Sequence, residues 1–164
     1  MNVIDFSALQ TGISVLFSFV PIALMIIGWK ILFKNAQRIA TRSETFTIVN
    51  DLINQLNNAR EGCIDYWCSA QQDDFNAELE WQKLKPYITS VRSSKDFLSA
   101  NRNIKIGHKS IVQFRRALSF NMVNLSVDDF ENARSESITN IHNATQSFKE
   151  ELLTKFEANY PARF

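Results

Sequence analysis

Hydrophobic and polar positions divide this chain near residue 30. Phe6 to Trp29 is a run of 24 residues without a charge, and beyond it apolar residues recur at every third or fourth position among polar and charged ones. A bilayer's hydrocarbon core is about 30 Å thick and an α-helix rises about 1.5 Å per residue, so roughly 20 apolar residues cross it. Ile13 to Phe33 supplies that length with Lys30 as its only charge. The pattern predicts a transmembrane helix over 13–33, a short extracytoplasmic amino terminus over 1–12 and a cytoplasmic helical domain over 34–164.

The flanks set the orientation. Asp5 is the only charged side chain before the run, whereas Lys30, Lys34, Arg38 and Arg42 follow it directly. Basic residues are retained on the cytoplasmic side, which predicts an inner-membrane protein with its amino terminus outside. Trp29 and Lys30 suit the interface, the indole at headgroup depth and the lysine stem along lipid. A cleaved signal peptide carries its basic groups before the apolar core, so no cleavage is expected. Within the run, Ser7, Thr11, Ser14, Ser18, Pro21, Met25 and Gly28 share one helical face. Small and hydroxyl-bearing residues on one face let two spans approach and hydrogen-bond, which makes self-association through Ser7, Thr11, Ser14, Ser18 and Gly28 one reading. The other is that these hydroxyls serve their own backbone near Pro21.

Downstream the helical period continues. No Gly or Pro occurs between Trp29 and Glu61, so the membrane helix can run on as a stalk; Thr41 and Glu44 have capping-box spacing and offer a rival start. Either way, Ile39, Phe46, Val49, Ile53, Leu56, Cys63 and Trp67 form a coiled-coil-like stripe interrupted by Arg42 and Arg60. Asp73 or Asp74 can cap a second helix, with Phe75, Leu79, Leu84, Ile88 and Val91 facing inward. Pro86 either kinks that helix or opens a new one. Gly107 separates a stretch ending near Asn103 from a short helix bearing Ile111, Phe114 and Leu118. Ser126-Val-Asp-Asp129 starts a long helix with Ile138, Ile141, Thr145, Phe148, Leu152 and Phe156 on one face, ending at Pro161. The fold class expected is all-α: a single transmembrane helix, then a small cytoplasmic bundle of long amphipathic helices in which the last packs along the first. Four Gly and three Pro are too few for an architecture rich in strands and turns.

Charge is segregated beneath a net +1. Asp51 to Glu80 has seven acidic residues against Arg60, whereas Trp81 to Val127 has nine basic residues against Asp96. Asp128 to Glu157 is acidic again, seven against three. Such blocks can neutralise one another between helices. Alternatively, Lys83, Lys85, Arg92, Lys95, Arg102, Lys105, Lys109, Arg115 and Arg116 form a surface for an anionic partner, and next to a membrane that partner is lipid. Nucleic acid is not expected, because no recognition motif is present and the domain is not basic overall.

Chemistry is sparse. The chain has no Gly-rich phosphate loop, no nucleophile elbow and no His-Glu-x-x-His. Cys63 and Cys68 are too far apart on a helix for a disulfide and are expected as free, buried thiols. Together with His108 and His142 they match no standard zinc spacing. No enzyme, metal or cofactor is expected. The function expected is a non-enzymatic, membrane-anchored interaction protein whose partner is membrane lipid, a second copy or a membrane-associated protein. The alternative is a membrane-perturbing effector of toxin or antiviral-defence type, oligomerised through the span so that the hydroxyl face lines a leak.

Overall fold

The computed structural model describes residues 6–69, 77–119 and 127–162, with side chains described over 19–69, 78–79, 81–118 and 132–162. Four helices account for the regular structure among the described residues: α1 (Phe6–Ser69), α2 (Ala77–Arg102), α3 (His108–Ser119) and α4 (Val127–Asn159). The chain divides into two compact units, Met1–Ser43 and Glu44–Phe164.

Both ambiguities over helix boundaries resolve toward continuity. Helix α1 passes through Thr41 to Glu44 without a break, because a capping pair starts a helix only where the preceding backbone leaves it, and nothing from Trp29 to Glu61 forces that. Helix α2 carries Pro86 in its interior. The proline lacks the amide that would serve the Gln82 carbonyl, but Gln82 and Pro86 are both exposed, so that oxygen is open to solvent rather than sealed in the core. The Thr89 hydroxyl donates to the Lys85 carbonyl at 3.0 Å on the same turn. Asp73, Asp74, Phe75 and Ser126 lie outside the described residues.

The core of the second unit draws on all four helices. On α1 the buried positions are Thr45, Val49, Leu52, Leu56, Ala59, Cys63, Tyr66 and Trp67. From Thr45 to Tyr66 they alternate spacings of four and three, the seam of a helix packed along neighbours at a shallow angle. This seam is rotated by one residue from the stripe read in the sequence. Val49, Leu56, Cys63 and Trp67 are buried as expected, whereas Ile39 and Phe46 are exposed and Ile53 is half-buried. Ala59 takes the seam position beside Arg60, whose Nη2 donates to Glu61 at 3.2 Å while its Nε is buried without an acceptor. On α4 the buried face is Ser137, Ile141, Thr145, Phe148, Leu152 and Phe156, with Ile138 at its margin. Leu84 and Val91 of α2 are buried and Ile88 is partly so, but Leu79 is exposed.

Contacts fix the helix directions within this unit. Glu44 pairs with Arg102 at 3.1 Å, Gln55 accepts from the Ser94 hydroxyl at 3.1 Å, and Gly62 faces Leu84, so α2 runs antiparallel to α1. Phe46 meets Phe156 with ring centroids 5.6 Å apart, Asn57 accepts from Lys149, and Cys68 lies 3.8 Å from Arg134 Nη2, so α4 is antiparallel to α1 as well. Gly62 permits the close approach of α2: a Cβ there falls 2.7 Å from Leu84 Cδ2.

The α2–α3 corner is held from α4. Asn103 adopts φ 55°, a left-handed conformation that asparagine tolerates better than most residues. The Ile104 amide then reaches the Leu98 carbonyl at 3.1 Å, and Ile104 is buried. Tyr160 Oη donates to the Arg102 carbonyl at 3.2 Å, and Asn159 Nδ2 to the Asn103 carbonyl at 3.3 Å. At the start of α3 the Glu151 carboxylate accepts from the Gly107 amide at 2.7 Å and from the Ser110 hydroxyl. It thereby supplies a negative charge and an acceptor to a helix N-terminus. Glu151→Ala is expected to lower unfolding free energy by about 2 kcal/mol, the scale of hydrogen bonds to a charged group, and Glu151→Gln by less. Chemical denaturation of the two variants in detergent checks the order.

Candidate membrane interface

Apolar side chains on α1 gather where nothing among the described residues covers them. The helix from Phe19 onward is long and apolar enough to cross a membrane, and none of its most apolar stretch is buried. Leu24 is 63% exposed, Leu32 and Phe33 each 68%, and Trp29 70%. Exposed apolar area on soluble monomers is usually confined to patches of a few hundred Å². Here it includes Phe19, Val20, Ile22, Leu24, Met25, Ile26, Ile27, Ile31, Leu32 and Phe33, and so continues along nearly fifteen residues of helix. Lys30 is exposed within this stretch, Lys34 and Arg38 are exposed just beyond it, and Arg42 is partly covered.

Ser7, Thr11, Ser14 and Ser18 fall on the α1 backbone, but their side chains lie outside the described residues. Gly28 is described, and a Cβ added there meets nothing within 4 Å.

The nine basic residues of the central block do not form one surface. Arg102 turns toward α1 to pair with Glu44, leaving its buried Nε without an acceptor. Lys95 bonds Asp96 at 2.6 Å, and Arg92 lies 4.0 Å from the same carboxylate. The Lys95 hydrogen bond, reinforced by both positive charges, holds the Asp96 carboxyl below the usual carboxylate range. Lys83, Lys85, Lys105, Lys109, Arg115 and Arg116 are exposed. Lys83 and Lys85 belong to the first half of α2, whereas Lys105 and Lys109 flank the α2–α3 corner.

The thiols differ: Cys63 is buried and Cys68 exposed, against the expectation that both are buried. Helical spacing accounts for this: Cys63 lies on the buried face with Tyr66 and Trp67, whereas Cys68, five residues on, falls off it. Burial pushes the Cys63 thiol up to about 11, and burial with the nearby thiol raises Tyr66 as well. A group whose folded-state value lies above its unfolded value of 9.0 stabilises fully below pH 9 and loses that contribution as pH rises through about 11. The expected effect is a loss of about 2–3 kcal/mol across that window, at 1.36 kcal/mol per unit. Cys63→Ala should flatten it, as measured by denaturant midpoints at pH 8 to 11. Lys149 has the opposite sign. Burial and the Arg60 charge lower it, so relief comes only as pH rises toward 10.5.

His108 and His142 are exposed on α3 and α4. No group of three or more His, Cys, Asp or Glu side chains able to hold a metal is found among the described residues. Two features had no signal in the sequence pattern: the Glu151 anchor of α3, whose partners lie 44 and 41 residues away, and the Lys149–Asn57 bond between α4 and α1, 92 residues apart. The chain matches no protein-family model, and no curated protein or solved structure matches it.

Proposed function

We propose that this chain is a single-pass membrane-anchored protein that acts by contact rather than catalysis. Residues 13–33 span the inner membrane, residues 1–12 lie outside, and residues 34–164 form a cytoplasmic helical bundle. The observation that supports this most is the wholly exposed apolar stretch of α1, on the same helix whose later turns, from Thr45 to Trp67, are buried in a core. One half of the helix has its apolar partners within the protein, and the other half has none among the described residues. Lipid supplies them, and the basic collar Lys30, Lys34, Arg38 and Arg42 with Trp29 fixes depth and direction.

Contact as the mode of action is supported by the described polar side chains of the second unit that bond one another and the backbone between helices. The partners are membrane lipid, a second copy or a membrane-associated protein. Self-association uses the face carrying Ser7, Thr11, Ser14, Ser18 and Gly28, where Gly28 leaves room for another backbone. Membranes washed with alkaline carbonate test the anchoring: the chain should stay in the pellet, and release into the supernatant would refute it. Crosslinking in native membranes tests the pairing. Dimer should diminish in Ser14→Leu with Ser18→Leu, and only monomer from the unaltered chain would reject it.

A further inference from the structure

Three basic side chains follow one another along α1 where its apolar stretch ends. Lys30, Lys34 and Arg38 are spaced by four residues, so they fall on one side of the helix, each about 6 Å along the axis from the next. All three are exposed, and none has a hydrogen bond or ion pair among the described residues. Partly covered Arg42 continues the line. The opposite side of the same turns carries Leu32, Ala36, Ile39 and Ala40 and no charge. No acidic residue occurs from Phe6 to Ser43, so no carboxylate lies three or four positions from any of the three. Like charges at this spacing repel and oppose the helix that holds them, yet α1 runs through 30–42 without a break. Orientation in a membrane depends on how many basic residues lie on each side of it, not on which face of a helix they occupy. Their alignment on one face therefore asks for a second cause, and an anion set against that face supplies one.

We infer that Lys30, Lys34 and Arg38 form a docking line for the headgroups of anionic phospholipid, so that α1 gathers acidic rather than zwitterionic lipid around its basic end. This deepens the spanning reading above and rests on it. With the hydrocarbon edge at Phe33, where the proposed span ends, Lys34 and Arg38 stand about 1.5 and 7.5 Å beyond it. The polar layer is about 5–8 Å thick on each side of a bilayer, so Lys34 lies in it and Arg38 at its outer limit. Lys30 starts about 4.5 Å inside the edge, and its stem carries the ammonium outward to the same layer. All three charges thus come within one screening length of lipid phosphate, about 8 Å at physiological salt. Ammonium and guanidinium groups both donate to phosphate oxygens, the guanidinium through two parallel bonds. A zwitterionic headgroup brings its own cation to its phosphate, whereas an anionic one leaves that charge for the protein to neutralise. These depths follow from α1 alone and hold wherever the second unit lies.

The test uses the full chain reconstituted in phosphatidylcholine vesicles that contain a small fraction of brominated lipid, either phosphatidylglycerol or phosphatidylcholine, whose bromine quenches tryptophan on contact. Trp29 adjoins Lys30 and is 70% exposed, and the difference between the unaltered chain and Trp29→Phe isolates its emission from that of Trp67 and Trp81. Brominated phosphatidylglycerol should associate with Trp29 about fivefold more strongly than brominated phosphatidylcholine, the ratio corresponding to about 1 kcal/mol of attraction for one basic group. High salt should lower the ratio, Lys34→Gln with Arg38→Gln should at least halve it, and Lys34→Arg should keep it. Equal quenching by the two lipids overturns the inference and leaves the anchor intact. So does a preference that survives undiminished in the double variant, because it then arises elsewhere. A Trp29 that neither lipid quenches lies outside the bilayer, which overturns the spanning reading and this inference with it.

Discussion

Replacing Ile22 and Leu24 together by arginine is expected to remove the protein from the membrane fraction. Both side chains lie near the middle of the 13–33 span and are more than half exposed. In the proposed span, insertion is driven by thirteen Ile, Leu, Phe and Val residues between Ile13 and Phe33, of which the double variant keeps eleven. At about 0.3–0.6 kcal/mol each the eleven supply roughly 3–7 kcal/mol, and two central arginines oppose this by about 5–7 kcal/mol. The two quantities nearly cancel, so the doubly substituted span no longer inserts efficiently, whereas Ile22→Arg alone leaves a net gain. Fractionation of cells expressing the single and double variants checks this. Retention of the double variant in carbonate-washed membranes would mean that something other than the span holds the protein there.

Phe148→Ala is expected to cost about 3–5 kcal/mol of unfolding free energy, the usual loss for a buried phenylalanine. Phe148 is fully buried on α4 and meets Phe114 of α3 edge-on at 5.8 Å, and it sits two helical turns from Phe156, which holds Phe46. The ring therefore ties α3 to α4 at the centre of the shared core. Domains are stable by only about 5–15 kcal/mol, so the substitution removes a large part of the total. Leu153→Ala, on the same helix but partly exposed, should cost well under half as much. Denaturant unfolding in detergent, followed by emission of buried Trp67, separates the two; equal midpoints would contradict the assigned core.

The fold was legible where one helix face carried unmixed chemistry. On α4, Ile141, Thr145, Phe148, Leu152 and Phe156 recur at spacings of four, three, four and four on one face, and each is buried as that spacing predicts. The α2–α3 corner was legible for a similar reason, since asparagine and glycine mark backbone that leaves the helix, and Asn103 does so with φ 55°. On α1 two neighbouring stripes compete. The one rich in large residues, Phe46 and Ile53, loses to the one containing Thr45 and Ala59, whose small side chains admit neighbouring helices. A ranking by hydrophobicity alone favours the wrong stripe by one residue. Pro86 was illegible in another sense: its tolerance depends on facing solvent, which is set by the rest of the fold.

The candidate surfaces divide along the same line. The proposed span and its collar are local features of 30 residues, 13–42, readable from composition. The basic block is contiguous in sequence but dispersed in space, because α2 is long and places Lys85 near its start and Lys105 just beyond its end. Its partition needs the antiparallel directions of α2 and α4, which are set by contacts such as Glu44–Arg102 between residues 58 apart.

Cys68, exposed on the far side of the proposed span, offers the most direct test of the central claim. A bilayer-impermeant maleimide applied to intact spheroplasts should leave Cys68 unmodified and label it once the membrane is permeabilised, with buried Cys63 slow in both. Labelling of Cys68 before permeabilisation, or recovery of the intact chain in the soluble fraction, would contradict the account.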